Sequence, residues 1–163
     1  MFKFSPDKYE SPFVLASEGM RRPGVISTSR DFIFNDGVAM ALICSSQFVG
    51  TQIEGHVLVV PAEPYENIFD IPDAVLHRTV SLVKQVAFAM KLEYHCDGIT
   101  VWQNNGPASG QDVWHYHTHV IPRFDGDNYF VLLNNLDKSF RTLEAEKREA
   151  YANRLRDRLA TLL

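Results

Sequence analysis

The sequence of 163 residues has few cysteines and no long apolar run, which are the features of chains held together by disulfides or zinc and of chains that span a membrane. Its two cysteines, Cys44 and Cys96, lie far apart, so it has no Cys-x-x-Cys zinc knuckle, and free thiols favour a cytoplasmic protein. No apolar run approaches the roughly 20 residues that a membrane span needs. The N-terminus, MFKFSPDKYE, is too polar for a signal peptide. We therefore expect no membrane partner.

A surplus of positive charge is also missing. The chain has 16 Lys and Arg against 20 Asp and Glu, a net charge of −4. This balance argues against a surface that binds broadly along nucleic acid, but it does not exclude a small nucleotide as ligand. No internal repeat or low-complexity segment stands out. With 45% hydrophobic residues, the chain can form one domain with a core that needs no disulfides.

Histidine is concentrated in one short segment, HYHTHVIPR (115–123). His115, His117 and His119 occupy every second position, which places them on one face of a β-strand. In a helix the same spacing would scatter them, because each residue turns by roughly 100°. Aromatic and β-branched residues between them favour a strand. Three imidazoles on one face are hard to explain by packing and indicate a functional site.

The rest of the chain predicts an α+β protein with an antiparallel sheet, one main helix and a C-terminal helix. The helix at 72–92 is predicted from apolar residues that recur near the helical period: Val75, Leu76, Val80, Val83, Ala87 and Met90. Asn35-Asp36-Gly37 predicts the turn of a hairpin. Ser45–Gly55 is expected to be a polar loop. Strands are expected at 55–61 and 99–104, and the charged tail after 139 is expected to form a surface helix.

Two chemistries fit the three histidines. Alternate imidazoles can bind zinc or another transition metal. Alternatively, one histidine can attack phosphorus and carry the group covalently, while its neighbours orient it and bind phosphate oxygens. The preceding loop, NGPASGQ, supplies Gly106, Gly110 and Gln111, and its backbone amides could bind an anion. Neither Asp112 nor Asp125 sits at a telling metal-ligand spacing.

HYHTHVI resembles the His-x-His-x-His motif of the histidine-triad superfamily. The similarity extends to GHVLVVP and to NNGPASGQDVWHYHTHVIPR, in the same order with a helix between them, and covers roughly residues 32–128. The branch that it most resembles contains the fragile-histidine-triad and dinucleoside polyphosphate hydrolases, with nucleoside phosphoramidate hydrolases as a second possibility. We divide the chain into an N-terminal arm (1–24), a catalytic domain (25–134) and a C-terminal helical tail (135–163).

The resemblance implies a homodimer that cleaves or transfers at the α-phosphate of a nucleotide, with adenine as the expected base. It implies that His117 is the nucleophile, that His119 contacts the α-phosphate, and that His115 and His56 orient the nucleophile. No cofactor is expected beyond Mg²⁺ accompanying a polyphosphate. The implied nucleotide-binding residues are Asn104, Gly110, Gln111, Asp112, Val113 and Cys44.

Two residues depart from the family pattern. Asp112 stands where relatives usually carry Ser or Thr, and a carboxylate there would repel a polyphosphate unless it is protonated or paired. It could act as an acid or favour an amine leaving group. Cys44 or Leu42 stands where relatives often carry the acid that binds the ribose, and burial of Cys44 is the simpler interpretation. A metalloenzyme and a nucleotide-binding module without catalysis therefore remain alternatives.

Overall fold

The computed structural model describes residues 2–135 and 140–162. The strands are β1 (Phe32–Asn35), β2 (Ala39–Ile43), β3 (Ser46–Phe48), β4 (Val57–Pro61), β5 (Gly98–Gln103), β6 (Thr118–Arg123) and β7 (Phe140–Thr142). The helices are α1 (Pro12–Ser17), α2 (Asp73–Tyr94), α3 (Tyr129–Leu133) and α4 (Ala145–Ala160). A five-stranded antiparallel sheet has the order β1-β2-β4-β6-β5, and β3 pairs with β7. The predicted α+β class is confirmed.

The β1–β2 hairpin forms where the Asn-Asp-Gly sequence predicts it. Gly37 has a φ of +82°, which glycine adopts without strain. The Asn35 side chain accepts a hydrogen bond from the Gly37 amide at 2.9 Å, and the Asp36 side chain accepts from the amides of Val38 and Ala39. The turn therefore satisfies its own backbone and sets the register of the two strands.

The two faces of the large sheet are covered by different parts of the chain. Ala41, Val59 and Val120 face the core that α2 and α4 close. Met40 and Leu42 alternate with these positions and pack on the opposite face against Phe13 of α1. Because His119 directly precedes Val120 in β6, it lies on the α1 side of the sheet.

The buried face of α2 is rotated relative to the predicted one. Val83 and Met90 are buried as expected, but Val80 is 52% exposed. Thr79 and Leu82 take its place in the core. A count of apolar residues does not include Thr79, so it predicts the wrong rotation for the buried face of the helix. Thr79 can be buried because its hydroxyl donates to the Val75 carbonyl at 2.8 Å.

The predicted C-terminal helix is α4, and it is part of the core. Leu155 and Leu159 are fully buried against α2 and the sheet. The Arg148 side chain forms a buried ion pair with Asp31, with the Nε and Oδ1 atoms 3.1 Å apart. Arg156 donates to the Phe32 carbonyl of β1 at 2.6 Å. The helix therefore covers the β1 edge of the sheet.

Two expectations about strands are wrong in detail. β6 begins at Thr118, so His115 and His117 lie in the segment that leads into it, and only His119 is a strand residue. The segment 45–55, expected to be a polar loop, contains β3. β3 forms by pairing with β7, which lies more than 90 residues away in the sequence. No local pattern marks such a pairing, so the sequence did not predict it.

Candidate active site

Four histidines meet on the α1 side of the sheet. His119 projects from β6, His56 directly precedes β4, and His115 and His117 come from the segment before β6. The ring centroids of His117 and His119 are 5.0 Å apart, as are those of His56 and His119. The structure thus brings together all four histidines implied by the motifs. His77 and His95 are exposed, as expected.

The tautomer of His117 follows from its hydrogen bond. Its Nδ1 lies 2.7 Å from the carbonyl oxygen of His115, which can only accept. Nδ1 therefore carries the proton, and Nε2 of the neutral ring keeps its lone pair. Burial lowers the pKa of His117, while the His115 carbonyl and the Asp112 carboxylate oppose that effect. The result is a neutral imidazole with a nucleophilic Nε2.

His115 is held at both ring nitrogens. Its Nε2 lies 3.0 Å from the Pro61 carbonyl oxygen, and its Nδ1 lies 2.6 Å from the Ser11 hydroxyl. Burial lowers the pKa of His115 to about 4, so the ring is neutral near pH 7. With both ring nitrogens engaged, His115 has no lone pair left for a metal ion.

His56 and His119 form a neutral pair, with His56 Nε2 and His119 Nδ1 3.0 Å apart. Burial lowers the pKa of His56 to about 3 and also lowers the pKa of His119. His56 Nδ1 has no partner among the described residues. An unpartnered buried acceptor is tolerated better than an unpartnered N–H. We therefore assign the shared proton to His56 Nε2, so that His119 carries its own proton on Nε2.

The glycine loop between β5 and the histidines is stabilised from within. Gly106 and Gly110 both have φ above +80°, where other residues would be strained. Gln111 accepts from the Gly106 amide at 2.7 Å and donates to the carbonyls of Glu66 and Val113. Both amide hydrogens of Gln111 therefore have partners within the protein, and its contact with a phosphate stays a prediction. Asn104 is partly exposed beside Gly110.

The backbone amides of this loop are also less available than the sequence suggested. Those of Ser109 and Gln111 donate to the Gly106 carbonyl, and that of Gly110 donates to Pro107. Within the described part of the chain, the amides of Asp112 and Val113 have no such internal bond. Asp112 is exposed, and Val113 is partly buried against the α1 side of the core.

Cys44 lies inside the core rather than at an open ribose site. It is 7% exposed, and burial raises the pKa of its thiol to about 12. Its backbone amide donates to the His56 carbonyl at 2.9 Å. The interpretation of Cys44 as a small buried residue is therefore confirmed.

Two site residues had no signal in the sequence. Ser11 contacts His115, and the Phe13 ring lies edge-on to His115 and His117, with centroid distances of 5.4 and 5.8 Å. Both belong to the N-terminal arm, more than 100 positions from the histidines. Only a pattern of long-range contacts could have identified them.

A cavity of about 660 Å³ lies elsewhere. It separates residues 16–30 from the start of α4, and none of the four histidines lines it. Across residues 2–135 and 140–162, no group of three His, Cys, Asp or Glu side chains is arranged to bind a metal. In the same ranges no helix is long and apolar enough to cross a membrane.

This chain is similar to known proteins. The HIT domain family matches residues 32–126, more than half of the chain. The protein Hit of Bacillus subtilis is 33% identical over 98 residues, which cover 60% of this chain and 65% of that protein. An adenosine 5′-monophosphoramidase of Saccharomyces cerevisiae is 42% identical over 72 residues, covering 44% of this chain and 43% of the enzyme.

A solved structure extends the similarity over nearly the whole chain. The diadenosine triphosphate hydrolase of Plasmodium falciparum, in complex with cyclomarin A, superposes with a TM-score of 0.69. It covers 97% of this chain and 88% of the hydrolase, at 17% identity, so it supports the fold alone. The match at residues 32–126 contains β6, which carries His119, its neighbours β4 and β5, and the triad itself. The chain belongs to the HIT domain family.

Proposed function

We propose that this chain is a nucleotide hydrolase or nucleotidyltransferase that acts at an α-phosphate through a covalent intermediate on His117. The observation that carries the proposal is the 2.7 Å contact between His117 Nδ1 and the His115 carbonyl. It leaves the Nε2 lone pair as the nucleophile. A buried, neutral imidazole needs no base to activate it.

The reaction takes two balanced steps. In the first, the Nε2 lone pair forms a bond to the α-phosphorus, and the bond from phosphorus to the leaving group breaks. The leaving group takes the electron pair and one proton from solvent. In the second step a water oxygen bonds to phosphorus and releases one proton to solvent, the P–N bond breaks, and the electron pair returns to Nε2. Nδ1 keeps its proton on the His115 carbonyl throughout.

Neighbouring groups have complementary roles. With its proton on Nε2, His119 can donate to an α-phosphate oxygen. The amides of Asp112 and Val113 are available to the same phosphate. We propose that Asp112 contacts the leaving group. Since Cys44 is buried, we propose that another group binds the ribose.

Phosphoramidates are the substrate class that the site favours. An exposed carboxylate at Asp112 repels further phosphates but can pair with a departing amine. A relative that is 42% identical is named an adenosine 5′-monophosphoramidase. Dinucleoside polyphosphates are the second class, because the HYHTHVI motif resembles that of the branch that hydrolyses them. Mg²⁺ would accompany such a substrate and offset the repulsion from Asp112. Adenine as the base and a cytoplasmic location stay predictions.

The test is trapping of the intermediate. The purified protein is mixed briefly with adenosine phosphoramidate or with diadenosine triphosphate, and its intact mass is measured. We expect an acid-labile gain of one AMP that is absent in His117→Ala, with kcat lower by about 10⁴-fold or more. The matched control is His77→Ala, an exposed histidine on α2, which keeps full activity.

Absence of an adduct and of AMP release with both substrates would contradict the proposal. Nucleotide binding without turnover would then favour a binding module. The metalloenzyme alternative has less support, because both nitrogens of His115 are engaged by protein groups.

We further propose that the chain forms a homodimer through the β5 edge and the adjoining face of α2. β5 is the last strand of the sheet, and its Val101 is 50% exposed. Phe88 of α2 is 56% exposed and Val80 is 52% exposed. Antiparallel pairing of β5 with β5 of a second copy would cover these side chains with a two-fold symmetric interface.

A further inference from the structure

Residues 2–13 of the N-terminal arm lie outside the region that the family match covers. Two of them, Ser11 and Phe13, contact histidines of the active site. The Ser11 hydroxyl lies 2.6 Å from His115 Nδ1, although 104 positions separate the two residues. Both side chains are buried, at 5% and 0% exposure. Water therefore cannot replace the hydroxyl without a rearrangement.

The direction of each hydrogen bond in this contact is determined. The Pro61 carbonyl can only accept, so His115 Nε2 carries the ring proton. Nδ1 of the neutral ring must then accept, and the Ser11 hydroxyl donates to it. The Ser11 oxygen in turn accepts from the Phe13 amide at 3.2 Å, as the N-cap of α1. The hydroxyl is thus used as both donor and acceptor.

His115 transmits this restraint to the nucleophile. Its ring is held between Ser11 and Pro61, and its own carbonyl accepts the Nδ1 proton of His117. The Pro61 carbonyl alone determines which nitrogen of His115 carries the proton. The Ser11 hydroxyl adds orientation, because it holds the other side of the ring and keeps it from tilting.

The arm has further anchors that keep Ser11 in place. The amides of Phe4 and Ser5 donate to the Glu66 carboxylate at 2.6 and 3.3 Å. The Glu66 carbonyl accepts from Gln111 at 2.7 Å, so the arm and the glycine loop share one residue. Phe13 packs edge-on against the His117 ring. The arm is therefore attached on both sides of Ser11.

We propose that Ser11 is a positioning residue for the reaction: its hydroxyl holds the His115 ring at a second point and so keeps the His115 carbonyl in line with Nδ1 of His117. Its effect on turnover rests on the proposed function. Its effect on the ring nitrogens does not, since they are observed without substrate.

The experiment compares Ser11→Ala, Ser11→Thr and Ser17→Ala in the full-length protein. Thr keeps the hydroxyl and the helix cap. Ser17→Ala is the matched control, because it removes a hydroxyl from the same helix that bonds only to the Val14 carbonyl. Turnover of adenosine phosphoramidate is measured at a temperature where circular dichroism shows every variant to be folded. Nitrogen-15 NMR of labelled histidine reports which ring nitrogen carries each proton.

We expect the wild-type protein to show His115 protonated at Nε2 and His117 at Nδ1. In Ser11→Ala both rings keep their tautomers, but the His115 Nδ1 signal moves to that of a nitrogen without a hydrogen-bond donor and the His117 signals shift. The value of kcat falls by about tenfold while KM changes by less than about twofold. Ser11→Thr restores the wild-type nitrogen signals and most of kcat, and Ser17→Ala changes neither.

Unchanged nitrogen signals in Ser11→Ala would overturn the inference, even if kcat falls, because the loss would then reflect stability alone. A wild-type protein that forms no adduct would refute the proposed function only. In that case altered histidine signals in Ser11→Ala would still support the role of Ser11.

Discussion

The buried ion pair between Asp31 and Arg148 gives a sharp test of how α4 is attached. Asp31 is 1% exposed and the Arg148 side chain 3% exposed, with Nε and Oδ1 3.1 Å apart. Arg148 also donates to the carbonyls of Leu143 and Ile26. The other Asp31 oxygen accepts from the Thr28 amide at 2.8 Å. Asp31→Ala would leave a guanidinium buried without its counter-charge.

Loss of one partner from a buried ion pair lowers the free energy of unfolding by about 3–5 kcal/mol. We expect Asp31→Ala to fall in this range, because the other Arg148 contacts are carbonyls and carry no full charge. The matched control is Glu149→Ala, also on α4, which breaks an exposed ion pair to Arg30 and should change the free energy of unfolding by about 0–1 kcal/mol. Replacing both partners, as Asp31→Leu with Arg148→Met, should be less destabilising than Asp31→Ala alone.

Urea denaturation at one fixed protein concentration, followed by circular dichroism, measures these differences. A value for Asp31→Ala within about 1 kcal/mol of Glu149→Ala would refute the reasoning. It would mean that water reaches Arg148 and that α4 is less tightly packed than its burial indicates.

Two further results are expected. Burial lowers the pKa of His56 to about 3 and of His115 to about 4, below the unfolded value of 6.5, so the unfolded chain binds more protons between these values. The free energy of unfolding should therefore be highest above about pH 6.5 and fall as the pH drops towards 4, and urea midpoints that stay level from pH 7 to pH 5 would contradict this. For the dimer, Val101→Lys should give monomers in sedimentation while Phe130→Lys, an exposed control on α3, leaves the dimer intact; a wild-type monomer would refute the interface.

Local patterns predicted the parts of the fold that depend on neighbours in sequence. The Asn35-Asp36-Gly37 turn closes its own hydrogen bonds, so its sequence alone predicts the hairpin. The α2 helix was predicted to within two residues at each end. Its buried face was not, because Thr79 is buried through a hydrogen bond to Val75 that an apolar count cannot register.

The histidines of the site could be predicted, but their supporting contacts could not. Alternate spacing put His117 beside His119, and the structure confirms that proximity. Ser11 and His115 lie 104 positions apart in the sequence, and nothing in either residue type predicts their contact. Gln111 was expected at the phosphate because of its place in the motif. Its three side-chain hydrogen bonds, to Gly106, Glu66 and Val113, depend on backbone groups that the sequence does not locate.

The coverage of β1 by α4 has a consequence for assembly. A sheet with two open edges could add copies at both ends and grow into a fibre. Here the Arg156 guanidinium donates a hydrogen bond to the Phe32 carbonyl on the β1 edge. Pairing between copies is then left to the β5 edge, and in the proposed dimer the open β5 edge of each copy is covered by the other copy. Growth would stop at two chains, so in that dimer the last helix would protect the protein against open-ended polymerisation.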